Sequence, residues 1–117
     1  MRELNIADYQ LTKRTKEGGE VQIPYSCRES IAAILLSSQL KLNAVELLKN
    51  NAVAAAILDW KHDTYRLEDA EYDALLAAAN TVRGYTQDDV ELVTRIKDAP
   101  KVDVQALPGS LSAPPSP

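Results

Sequence analysis

Apolar positions along this chain fall first into short alternating stretches and then into stripes at helical spacing. Leu4 and Ile6 alternate with polar neighbours, as do Val21 and Ile23, the period-two pattern of half-buried strands. Between them, Glu17-Gly18-Gly19-Glu20 supplies a turn in which glycine takes positive φ at little cost. The pattern predicts an N-terminal β-hairpin, with an open register because the first arm has a long polar part from Gln10 to Lys16. Pro24, which has no N–H to give a ladder, is expected to end the second strand.

From Cys27 the period lengthens. Cys27, Ile31, Ile34 and Leu35 stand at i, i+4, i+7 and i+8, the stripe of an amphipathic helix. A looser stretch at Ser37-Ser38-Gln39 separates it from a second helix with Val45 and Leu48 inward. Asn50-Asn51 is expected to break or kink that helix, because neighbouring Asn side chains compete for their own backbone. A third segment from Ala52 carries Val53, Ile57 and Trp60 on one side, and its alanines suggest close packing against a neighbour. His62 to Leu67 reads as a connector. Residues 69–82 form the clearest helix, with Tyr72, Leu75, Leu76, Ala79 and Val82 on one face and Gly84 as a left-handed cap. A last helix turns Leu92, Val93 and Ile96 inward and stops before Pro100.

Helix starts are marked independently. Ser26-x-x-Glu29, Asn43-x-x-Glu46 and Thr86-x-x-Asp89 each put a capping oxygen at the N-cap and a carboxylate three residues on. Both groups meet orphan N–H donors and the positive end of the helix dipole. The expected fold class is therefore α+β: an N-terminal β-hairpin followed by a compact group of four or five short helices. Residues 1–100 form the single domain. Residues 101–117, with four of the six prolines and few apolar groups, are expected to be a disordered tail.

Composition narrows function mainly by exclusion. Apolar residues make up 45% and charged residues 26% of the chain, so wholesale disorder is excluded. No apolar run approaches the roughly 18 residues of a membrane-spanning helix, and no apolar signal core follows Met1. A lone Cys27 fits a reducing compartment, and a cytoplasmic location is expected. The first 28 residues carry five basic and four acidic groups, whereas residues 29–100 carry seven and twelve. An acidic helical body opposes nucleic-acid binding. Lys13-Arg14-x-Lys16 is the one cationic cluster that could touch phosphate, or it is a solvated strand edge whose charges discourage aggregation.

Reactive groups are few. His62, in Asp59-Trp60-Lys61-His62-Asp63, has carboxylates on both sides but stands where a helix ends and a cation meets the dipole. Cys27, in a first helical turn, has a dipole that favours thiolate, yet it shares the buried stripe of Ile31 and Ile34. Glu68-Asp69-x-Glu71-x-Asp73 reads as charge favouring a helix start. No metal-ligand spacing occurs, and no catalytic residue, metal or cofactor is expected. The six aromatic rings are all Tyr or Trp, with polar handles suited to core edges and interfaces. Partner contact is expected around Tyr9 and Tyr25 beside the hairpin, together with Lys13, Arg14 and Lys16.

Leu4-Asn5-Ile6-Ala7-Asp8-Tyr9, the Gly-Gly turn, Val21-Gln22-Ile23-Pro24-Tyr25-Ser26-Cys27-Arg28-Glu29-Ser30 and the late Arg95-Ile96-Lys97-Asp98-Ala99 give a layout that resembles small bacteriophage and prophage proteins. That resemblance implies an accessory or assembly role, tail-assembly chaperones included, without catalysis. It carries over no functional residue. The expectation is a non-enzymatic interaction protein binding a protein partner or itself. The alternative is a small nucleic-acid-binding regulator that uses the basic hairpin segment.

Overall fold

The computed structural model describes residues 1–102. Four strands form two separate antiparallel pairs, and four α-helices complete an α+β fold. The order is β1 (Arg2–Asn5), β2 (Tyr9–Arg14), β3 (Glu20–Tyr25), α1 (Cys27–Leu35), α2 (Ala44–Asp59), β4 (Thr64–Leu67), α3 (Asp69–Thr81) and α4 (Val90–Lys97). Short 3₁₀ turns at Ser38–Leu40 and Gln87–Asp89 precede α2 and α4.

The hairpin is β2 with β3, in a register that sets Tyr9 opposite Tyr25 and Arg14 opposite Glu20. The polar stretch from Gln10 is thus itself a strand, and the alternation at Leu4 and Ile6 belongs elsewhere. Leu4 lies on β1, which pairs with β4 so that Leu4 faces Tyr65 and Glu3 faces Arg66. The predicted connector is therefore half of a sheet. Its four residues are too few to show a period, so only the long-range pairing reveals it. Opposite charges face each other across the ladder, with Arg66 Nη2 at 3.3 Å from Glu3 Oε2. Pro24 does not end β3, which runs on to Tyr25; an edge strand of a two-stranded ribbon tolerates a proline. Val21 and Ile23 are each 43% exposed, so the ribbon stands clear of the core.

One hydrophobic core is built around α1. Ser26 Oγ accepts from Glu29 N at 3.4 Å, and Cys27, Ile31, Ile34 and Leu35 are buried as their spacing predicts. Leu4 and Ile6 reach this core from the N-terminal strand, Ile57 from α2, Leu75 from α3, and Leu92 and Ile96 from α4. Full burial of each such side chain contributes about 1.5–3 kcal/mol. The buried Tyr72 donates its hydroxyl to the carbonyls of Ile96 (2.7 Å) and Lys97 (3.2 Å), satisfying the last turn of α4. Gly84 has a φ of +102°, but it lies beyond the α3 cap at Val82 and shapes the connection rather than closing the helix.

Helix α2 is continuous through Asn50-Asn51. The reason is a cross-helix bond: buried Asn50 turns its amide to Leu35 O, 2.9 Å away at the end of α1, and leaves its own backbone alone. The capping box at the helix start is complete, with Asn43 Oδ1 accepting from Glu46 N (2.8 Å) and Glu46 Oε1 accepting from Asn43 N (3.0 Å). Choosing Asn50, Ala54 and Ile57 as the inner face turns Val45 and Leu48 outward, at 62% and 68% exposure, against expectation. Trp60 is likewise at the surface, donating its indole N–H to Thr64 O at 2.8 Å.

The chain is closed by its ends. Lys101 bridges to Arg2, and Val102 N donates to Met1 O at 2.9 Å. The disordered tail expected over residues 101–117 lies, from residue 103 onward, outside the described residues. Replacement of Asn50 tests the corrected account of α2. Asn50→Ala leaves the buried Leu35 carbonyl unpaired and should cost about 1–3 kcal/mol in urea unfolding, whereas Asn51→Ala, at an exposed site, should cost nothing. A gain in stability for Asn50→Ala would contradict it.

Candidate functional site

Two surfaces compete for the role of binding site. The first is the one the aromatic and basic residues mark. Tyr9 and Tyr25 stack across the hairpin with ring centroids 4.6 Å apart and planes 12° from parallel. Both hydroxyls are engaged inside the chain: Tyr9 donates to Asp88 O at 2.9 Å and Tyr25 to Asp89 Oδ1 at 2.5 Å. Lys13 Nζ lies 2.6 Å from Asp88 Oδ1, and the Arg95 guanidinium sits 5.0 Å from the Tyr9 ring centroid. Three of the five marked residues thus bolt the hairpin base onto the turn that opens α4. Arg14 and Lys16 project to solvent further along the ribbon. Burial pushes the Tyr9 phenol up, and burial together with donation to the Asp89 carboxylate pushes Tyr25 higher still.

The reactive candidates are dispersed. Cys27 is wholly buried, and desolvation raises its thiol despite Arg95, whose Nη1 lies 3.4 Å from the sulfur. Arg95 is itself engaged by the Ala7 carbonyl at 2.7 Å and by Glu91. His62 is at the surface, edge-on to Trp60 at 5.5 Å. Glu68 N donates to Glu71 Oε1 at 2.9 Å, so the acidic run caps α3. Among the described residues, no three His, Cys, Asp or Glu groups converge as metal ligands.

The second surface was not marked by the chemistry-bearing residues. Helix α1 packs against both α2 and α3, which scarcely touch each other. The gap between them is an open groove of about 610 Å³. Ala52, Val53 and Ala56 form the α2 wall, and Ala70, Ala74 and Ala77 form the α3 wall. Tyr65 lines one end, and Leu40 and Leu42 line the other. Gln39 fixes that second end, accepting from Arg83 N at 2.9 Å and donating to Arg83 O at 3.2 Å. Two of the polar side chains at the rim, Glu46 and Glu71, are held in helix caps. The available signal was the run of alanines at i, i+4 and i+7 from Ala70. A small-residue stripe is also how a helix packs closely on a neighbour, and sequence alone does not show that none of the described residues fills that place.

A further concavity near Arg95 is lined by Glu3, Asp63, Glu91 and Asp98 together with Ala7, Ala99 and Pro100. No helix among the described residues is long and apolar enough to cross a membrane. No protein-family model matches the chain, and neither a curated protein nor a solved structure proves similar to it.

The tyrosine lock gives a pH dependence with a definite sign. Both phenols titrate later in the folded chain than in the unfolded one, so their contribution to stability is intact below about pH 10 and is lost as pH rises through the folded values. Absorbance titration at the phenolate band should show late-titrating tyrosines in the native protein, Tyr9 and Tyr25 among them, as burial also raises Tyr65 and Tyr85. Tyr25→Phe, which frees the Asp89 carboxylate, should remove one of them and lower stability by about 1–3 kcal/mol. A Tyr25→Phe protein that keeps every late-titrating phenol and the full stability of the parent would refute the lock.

Proposed function

We propose that the protein is a non-enzymatic interaction protein that receives an apolar helix of a protein partner in the groove between α2 and α3. The observation that carries this reading is the groove itself, whose facing walls are built from alanines on two helices held apart by a third. Small side chains on both walls let a third helix approach closely, and large apolar side chains on that helix would fill the spaces between them. Concave, mainly apolar surface of this size is where ligands and partners bind. Its lining is mainly apolar, with Glu46, Lys49, Glu71 and Thr81 among the polar side chains that a partner helix would meet.

An assembly role of the kind the sequence layout suggests, in the cytoplasm of a host bacterium, accords with such a surface. A chaperone or accessory factor must shield a partner's apolar helix and then release it. The nucleic-acid alternative draws less support, because Lys13 is paired with Asp88, which leaves Arg14 and Lys16 as the exposed cations of the cluster without that carboxylate partner.

Selection from a displayed library of helical peptides tests the groove. Enriched sequences should carry Leu, Ile or aromatic residues at i, i+3 or i+4, and i+7. Ala74→Arg, an exposed change on the α3 wall, should weaken their binding by at least about tenfold. A selection without that pattern, or peptides indifferent to Ala74→Arg, would count against the reading.

A further inference from the structure

We propose that α2 pairs with the α2 of a second copy of this chain, antiparallel across a two-fold axis, through Val45, Leu48, Ala52 and Ala55. These four residues stand at i, i+3, i+7 and i+10, which places them on one stripe of the helix. The stripe points away from the buried face formed by Asn50, Ala54 and Ile57, and all four residues are exposed. It holds no charge until Asp59; Glu46 and Lys49 lie to one side of it, along the groove. A helix that is apolar on its outer as well as its inner face is built to be covered on both.

The occupant is indicated by the order of sizes along the stripe. Its N-terminal half presents the large side chains Val45 and Leu48, and its C-terminal half the small ones Ala52 and Ala55. Laid antiparallel on its own copy, α2 sets Val45 against Ala55 and Leu48 against Ala52, twice over by symmetry. Large then meets small at every layer, which is the self-complementarity an isologous interface demands. The same alignment brings Lys41, exposed just before the helix, opposite Asp59 at the end of the partner helix. Each helix N-terminus also falls beside the negative end of its neighbour. A parallel pairing would instead stack Leu48 on Leu48, leave Ala52 facing Ala52 across a void, and place Asp59 against Asp59.

One helix face offers less than the roughly 800 Å² per partner of a standard interface, so the dimer belongs to the weak class, with a dissociation constant between about 10 µM and 1 mM. This pairing is independent of the groove reading, since the two surfaces share only Ala52; failure of either leaves the other standing.

Sedimentation equilibrium of the full chain from about 10 µM to about 1 mM tests it. A reversible monomer–dimer equilibrium is expected. Leu48→Asp, at a site 68% exposed and outside the core, should weaken the dimer by at least about tenfold with an unchanged thermal midpoint. Asp59→Lys should weaken it by about threefold, and adding Lys41→Asp, at a left-handed position that Asp tolerates, should restore it. A monomer at every concentration, a dimer indifferent to Leu48→Asp, or a charge exchange that restores nothing would overturn the proposal.

Discussion

Pairing of the first strand with a segment about sixty residues away organises everything else in this domain. Residues 2–5 meet residues 64–67, and the same strand is also gripped from the far end of the chain. Glu3 N donates to Pro100 O at 3.0 Å, and the Arg2 guanidinium donates to Ala99 O at 2.7 Å. Beginning, middle and end of the described chain therefore converge on four residues. The convergence puts Leu4 and Ile6, both fully buried, against the helical core. A local hairpin would have left those two side chains on a ribbon with water on both faces, and α1 without part of its cover. Such non-local closure is entropically costly to form and is offset by apolar burial distributed over every helix.

The molecule consequently has two regimes. Around α1, order comes from close-packed aliphatic side chains and carbonyls capped by neighbours, such as Leu35 by Asn50 and Ile96 by Tyr72. At the hairpin, order comes from a few polar bonds at its base, where Asp88 and Asp89 hold Tyr9, Lys13 and Tyr25. The surfaces that remain open, the alanine-walled groove and the outer stripe of α2, both adjoin the first regime. Among the described residues nothing covers either of them.

Much of this was legible from residue order. The apolar stripes of α1, α3 and α4 predicted their buried faces, and the pairs at Ser26/Glu29, Asn43/Glu46 and Thr86/Asp89 marked real N-termini, the last through a 3₁₀ turn closed by Thr86 N donating to Asp89 Oδ2. What escaped was non-local. The role of Thr64–Leu67 depends on a partner strand at the other end of the sequence, and four residues carry no period. Asn50-Asn51 reads as a break because local rules see only their own backbone; a carbonyl on another helix decided otherwise. With apolar residues nearly all round α2, periodicity could not choose which side turns inward, and Val45 and Leu48 were placed on the wrong one. The tyrosines announced contacts but not whether those contacts are internal. The groove escaped because an absence of packing has no residue to mark it.

The glycine turn between the hairpin arms has a practical corollary. Gly18, at φ +86°, has no neighbour within 4 Å of where a side chain would begin, and the arms beyond the tyrosine base lie in water. Lengthening such a tip adds loop-closure entropy only slowly and disturbs no buried group. The tip is accordingly a permissive address for an epitope, a fluorophore or a crystallisation tether, and none of its residues lines the groove between α2 and α3.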